Sequence, residues 1–120
     1  MTRTHHADGA ARSLSPMLLA VLANRFDGVV REMTNTMLRT GRSAVINSAR
    51  DFSCGITTAD NQLFATAEGL PAHTYGLNLQ TAAMCAFHDD IAEGDAYLHN
   101  DPYSGNSHPA DHTLIVPVFR

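Results

Sequence analysis

The residue pattern predicts an α+β fold: a long N-terminal helix packed on a β-hairpin, with a second helix and further short strands. Three observations lead there. Apolar residues recur at helical spacing from Leu18 to Met37. Two short β-type runs flank the turn-forming Ala59-Asp60-Asn61-Gln62. A loop dense in Asn, Asp, Pro, Gly and Ser then separates two more strand-like runs, at 96–99 and 113–119.

The first helix opens at Ser15-Pro16, with Ser as N-cap and Pro at the first helical position, where its missing N–H costs nothing. Leu18, Leu22, Phe26, Val29, Met33 and Met37 then step by four, four, three, four and four residues, which predicts one packed stripe on a helix over 16–40. Met33 and Met37 read as core residues, because methionine fills irregular gaps. Arg25, Asp27, Arg31, Glu32 and Arg39 fall off the stripe and face water, and Gly41 is placed to act as a left-handed cap. The hairpin is expected over 51–57 and 63–67. A second helix is expected over 77–87, with Leu79, Ala83 and Phe87 on one face. Glu93-Gly94-Asp95 is a turn leading into a short strand, and the apolar run 113–119 reads as a buried strand.

At 120 residues there is room for one domain, and 44% apolar with 17% charged residues fits a chain with a core. A net charge of -4 with only eight Lys and Arg excludes the electrostatic footprint of a nucleic-acid or anionic-membrane binder. No run reaches the ~18 apolar residues of a membrane span. Residues 1–14 lack the apolar centre of a signal peptide and read as a disordered leader, with His5-His6 a tail feature or tag remnant. Cys54 and Cys85 stand apart, outside any Cys-x-x-Cys pair, and are expected as reduced, buried thiols of a cytoplasmic protein.

The chemistry concentrates in Asn100-Asp101-Pro102-Tyr103-Ser104-Gly105-Asn106-Ser107-His108-Pro109-Ala110-Asp111-His112. His108 and Asp111, three residues apart on a turn, can reach one ion, and a nitrogen–oxygen pair suits Mn, Zn, Fe or Co better than Ca. His112 would point to the other side of a strand starting there, as a supporting or core residue. Asp101 either caps the loop or serves the site, and Tyr103 either donates to substrate or packs. Glu68 and His73 flank Gly69-Leu70-Pro71 as a second polar cluster, so His73 is either a site residue or a structural histidine. Asp51 and Ser53 are either structural hydrogen-bonders or site wall. Neither a phosphate-cradling Gly-x-x-x-x-Gly-Lys loop nor a Gly-x-Ser-x-Gly elbow occurs, so no nucleotide site is visible. Two donors do not close a catalytic metal site, which takes three protein ligands. The remainder must come from another chain or from a longer form of this one.

These residues carry a resemblance to the hydantoinase B/oxoprolinase family over about 15–120. Its blocks are Arg50-Asp51-Phe52-Ser53-Cys54, then Ala67-Glu68-Gly69-Leu70-Pro71-Ala72-His73, then the Asn100 to Thr113 loop running into Val116-Pro117-Val118-Phe119. The family includes B subunits of ATP-dependent hydantoinases and N-methylhydantoinases, the equivalent half of 5-oxoprolinase, and the acetone carboxylase alpha subunit. The resemblance implies an ATP-assisted reaction shared with an A-type partner that activates the substrate by phosphorylation. The B-type part then works at a divalent metal, opening a cyclic amide such as a hydantoin or 5-oxoproline, or forming a carbon–carbon bond in the carboxylase branch. It carries the metal-ligand role onto His108 and Asp111 and leaves Asp101, Tyr103 and His73 as catalytic candidates. A further ligand histidine is expected beyond Arg120. B-type subunits are several times longer, so the resemblance implies that the chain is their N-terminal portion, a partial domain of a larger fold, and it is expected to be inactive without the remainder of the B-type polypeptide. A non-catalytic structural subunit is the alternative from another class.

Overall fold

The computed structural model describes residues 14–67 and 71–119. Residues 1–13 of the expected leader, with His5-His6, lie outside the described residues, as do Glu68, Gly69 and Leu70. The fold is α+β, with helices α1 (Pro16–Thr40), α2 (Ala44–Asn47), α3 (Pro71–Thr74) and α4 (Leu77–Phe87), and strands β1 (Gly55–Thr57), β2 (Leu63–Thr66), β3 (Tyr97–His99) and β4 (Thr113–Ile115). Among the described residues the strands form two separate antiparallel pairs, β1 with β2 and β3 with β4. None of the described helices is long and apolar enough to cross a membrane.

Helix α1 starts as its sequence requires, with Pro16 in the first turn and the Ser15 hydroxyl accepting from the Leu18 N–H at 3.2 Å. It ends differently from expectation. Gly41 is extended (φ -62°, ψ 127°), not left-handed. Glycine is needed there for space, because a Cβ would stand 2.5 Å from Ile46 Cγ2 and 2.9 Å from the Met37 carbonyl oxygen.

The packed face of α1 is also rotated from the expected one. Val30 is fully buried, and Leu22, Thr34 and Leu38 are half-buried on the same row of four-residue steps. Leu18, Val29, Met33 and Met37 remain exposed, so they are not core residues of this chain. The expected stripe and the observed row share Leu22 and Phe26 and diverge after them. At 3.6 residues per turn, neighbouring rows are separated by about 100°. Apolar spacing alone does not choose between them. The choice is made by α2 and β2, which α1 touches. Phe26 sits at the edge of the contact, its ring edge-on to Phe64 with centroids 4.7 Å apart.

The same rotation occurs in α4. Gln80 and Thr81 are buried, flanked by half-buried Leu77 and Met84, whereas Leu79 and Phe87 are exposed. Thr81 can sit inside because its hydroxyl donates to the Leu77 carbonyl at 3.1 Å.

The hairpin forms where expected but is shorter. Gly55, Ile56 and Thr57 face Thr66, Ala65 and Leu63, and a bulge between Ile56 and Thr57 leaves Phe64 as the extra residue that reaches Phe26. Asn61, at φ 60°, takes the left-handed turn position that Asn tolerates. Residues 51–54 are not strand; the Asp51 N–H instead donates to the Val45 carbonyl at 3.0 Å, tying this segment to α2. Cys54 is half-buried and Cys85 exposed, and neither forms a disulfide, so the expected burial of both thiols is corrected for Cys85. Burial holds the Cys54 thiol above its usual pKa, offset in part by a hydrogen bond with Thr34.

Strand β4 is not the buried strand that its apolar run suggested. It pairs with β3 in the register Tyr97–Ile115, Leu98–Leu114 and His99–Thr113. Leu98 and Leu114 lie opposite each other and both are exposed, as are Val116, Val118 and Phe119 beyond. A two-stranded ribbon buries an apolar face only when a second layer packs on it. Among the described elements no such layer covers this face.

Candidate histidine–carboxylate site

Three segments far apart in sequence bring His and Asp side chains together. The first is the bend after α2. Arg50 adopts a left-handed conformation, φ 54°, which is uncommon for a non-glycine residue and turns the chain so that Asp51 follows it into the cluster. The second is the single turn α3, closed by the Thr74 hydroxyl donating to the Pro71 carbonyl at 2.9 Å, which presents His73. The third is the loop between β3 and β4, which carries His108 and Asp111.

That loop is wired by its own side chains. The Asp101 carboxylate accepts from the Tyr103 N–H at 3.1 Å and from the Ser104 hydroxyl at 2.6 Å, capping a short 3-10 turn, Pro102–Ser104. These two hydrogen bonds, Ser104 first, hold its pKa below the ordinary aspartate value. Gly105 at φ 99° then reverses the chain. It lies against the start of α4, where a Cβ on Gly76 would fall 1.7 Å from the Gly105 oxygen. The buried Gln80 Nε2 donates to that same oxygen at 3.1 Å. The Asn106 side chain, also buried, donates from Nδ2 to the carbonyls of His108 at 2.8 Å and Asp111 at 2.9 Å. The Asp111 N–H closes the turn on the His108 carbonyl at 3.1 Å.

Asp111 Oδ2 is the meeting point. His108 Nε2 stands 3.5 Å from it, His73 Nε2 stands 3.3 Å from it, and the Ser107 hydroxyl donates to it. His73 Nε2 also faces Asp51 Oδ1 at 3.6 Å. His73 is the most enclosed of the four, with its side chain 17% exposed, while His108 is 59% exposed and open to a ligand. Two donors on one tetrahedral ion, each about 2.0–2.1 Å from it, stand about 3.4 Å apart. The His108–Asp111 pair therefore fits one edge of a coordination sphere. Among the described residues no group of three or more His, Cys, Asp or Glu side chains is arranged to hold an ion unaided.

The other candidates lie elsewhere in the loop. Asp101 commits its carboxylate to capping the 3-10 turn, the local alternative that its sequence left open. The Tyr103 side chain is fully exposed, so it does not pack. His112 is exposed and uses Nδ1 only on the Ala110 carbonyl, at 3.2 Å, and is therefore not a core residue. Sequence reasoning joined His108 to Asp111 but did not join either to His73 or Asp51. It placed Asn106 in the loop without giving it a role. The available signal was an Asn two residues before a histidine in a Gly-rich loop, a type that bonds to nearby backbone.

A histidine–carboxylate centre, carried on a self-bonded loop of an α+β domain, is the class of site this geometry defines. The chain belongs to the hydantoinase B/oxoprolinase family, whose sequence profile matches residues 15–120. It is 35% identical to the 5-oxoprolinase PfmaA of Pestalotiopsis fici over 92% of this chain and 9% of that protein. It is 34% identical to the caprolactamase beta subunit of Pseudomonas jessenii over 89% of this chain and 19% of the relative. It is 25% identical to the putative D-/L-hydantoinase B subunit of a Pseudomonas species, over 90% of this chain and 19% of the relative. The chain thus spans under a fifth of the length of each of these relatives. No solved structure matches it.

Proposed function

We propose that this chain is the N-terminal portion of a hydantoinase B/5-oxoprolinase-type subunit, a hydrolase of cyclic amides that acts with an ATP-using, A-type partner. The observation that carries this reading is the His108–Asp111 pair at 3.5 Å, on a loop the family match includes, with His73 drawn onto the same carboxylate. The substrate class is a cyclic amide, with a hydantoin and 5-oxoproline as the first to test. The names of the 5-oxoprolinase and hydantoinase relatives support the five-membered ring, and that of the caprolactamase relative supports the wider lactam class. Two of these relatives are named as subunits, which supports a multi-chain enzyme.

In this reading His108 and Asp111 hold a divalent metal (Mn, Zn, Fe or Co), completed by donors outside the described residues. Bound there, such an ion would supply Lewis-acid polarisation of an amide carbonyl or a more acidic water. Ser107 and His73 fix the direction of the Asp111 Oδ2. His73, held between Asp51 and Asp111, is the candidate to hold or pass a proton beside the reacting amide. Asp101 acts through the loop's shape, and Tyr103, open to solvent, is free to meet substrate or partner. The free thiols of Cys54 and Cys85 support a cytoplasmic location.

The test is reconstitution. The 120-residue chain alone is expected to show no ATP-dependent hydrolysis of 5-oxoproline or hydantoin. The assembled enzyme, with the remainder of the B-type polypeptide and an A-type partner, is expected to turn over and to lose at least about a hundredfold in kcat on His108→Ala, the scale of removing a group that acts on the transition state. Wild-type turnover by that variant would overturn the reading.

A further inference from the structure

We propose that Asn106 is the positioning residue that sets the separation of His108 and Asp111. The inference rests on the reading that this pair holds a divalent metal.

The clamp is one carboxamide, the Asn106 side chain. Its NH2 group has two hydrogens in a plane, about 120° apart, and both are used, on the carbonyls of the first and last residues of the His108 to Asp111 turn. Its Oδ1 accepts from the Thr113 hydroxyl at 3.3 Å, which fixes which way the amide points. The reverse orientation would set an oxygen against two carbonyl oxygens. The two ligand residues are thereby held relative to each other through their backbones, independently of any ion. The clamp is anchored in turn, because Asn106 is 8% exposed and its N–H donates to the Asp101 carbonyl at 3.2 Å. The preceding Gly105 is pinned to α4 by Gln80. Asp in place of Asn106 would keep the shape and lose both donors. Ser would keep one donor, and Gln would overreach a buried slot. Groups that orient ligands without touching the metal change affinity by roughly 10–100-fold when removed.

The experiment is Co2+ titration of the complete protein, read by the d–d absorption of bound cobalt, with helical circular dichroism as the control for folding. Wild type is expected to bind, and His108→Ala to lose binding. Asn106→Ala and Asn106→Asp are expected to weaken binding by roughly 10–100-fold and to change the absorption envelope while keeping the helical signal. Thr113→Ala, which removes only the orienting bond, is expected to weaken it less. Asn106 variants that titrate like wild type, in a protein where His108→Ala does not bind, overturn the positioning role and leave the metal reading standing. Identical titrations of wild type and His108→Ala overturn the metal reading, and this proposal with it. Loss of the helical signal in both Asn106 variants assigns the residue to folding alone and also overturns the proposal.

Discussion

The loop between β3 and β4 and helix α1 are organised in opposite ways. The loop has little regular structure, yet Asp101, Asn106, Ser107, Asp111 and Thr113 all satisfy its backbone or one another within a dozen residues. Helix α1 is regular over 25 residues, yet only Val30 on it is fully buried, and most of its apolar stripe meets solvent. Hydrogen bonds are short-range and directional, so a loop can complete them from its own sequence. Burial needs area from elsewhere. The site-bearing loop therefore completes most of its hydrogen bonds itself, with Gln80 of α4 adding one, whereas the helix depends on area from elsewhere.

The comparison breaks most readily at the seam between the loop and α4. Gly76→Ala would drive a methyl into the Gly105 carbonyl, where only 1.7 Å is available, and backbone must move. The expected cost is about 3 kcal/mol, the upper end for overpacking, measured by chemical denaturation. A near-neutral result would show that α4 and the loop are not packed as described.

A paired substitution on α1 sharpens the contrast. Val30→Ala removes two methyl groups from a fully buried site and should cost about 2 kcal/mol, whereas Met33→Ala, one turn away and 40% exposed, should change stability by less than about 0.5 kcal/mol. Equal costs would mean that the expected stripe, and not the observed row, is the packed face. Where a longer polypeptide or a partner covers this face, the same Met33→Ala should become costly.

The smallest effect concerns acid. Asp101 has a folded-state pKa below its unfolded value, so its contribution to stability is present above the ordinary carboxylate range and is lost as pH falls through the depressed value. Asp101→Asn should flatten that acid limb of the stability profile by lowering stability slightly at neutral pH while leaving it unchanged below the depressed value, and the effect is small since the group is exposed. An unchanged acid limb would remove Asp101 as its source.

Much of this was legible in the chain itself. Ser15-Pro16 marked the start of α1, Asp60-Asn61 marked the hairpin turn, and the three-residue spacing of His108 and Asp111 placed them on one turn. Each is a local preference whose partners lie within a few residues. The face on which α1 packs was not legible, because Val29-Met33-Met37 and Val30-Thr34-Leu38 both continue from Phe26 at helical spacing. Nor was the burial of 113–119, because an apolar run records an affinity for a layer without supplying that layer.

The sequence by itself determined the start of α1, the order of the longer elements, the hairpin turn and the family blocks, because these depend on backbone preferences and short-range hydrogen bonds. The end of α1 at Gly41 and the short helices α2 and α3 were not among them. Only the tertiary structure decided that His73 meets both Asp51 and Asp111, residues that stand 22 positions before it and 38 after it. No local spacing encodes such a meeting. It follows from where the left-handed Arg50 bend, the single turn α3 and the Asn106-clamped loop come to rest against one another.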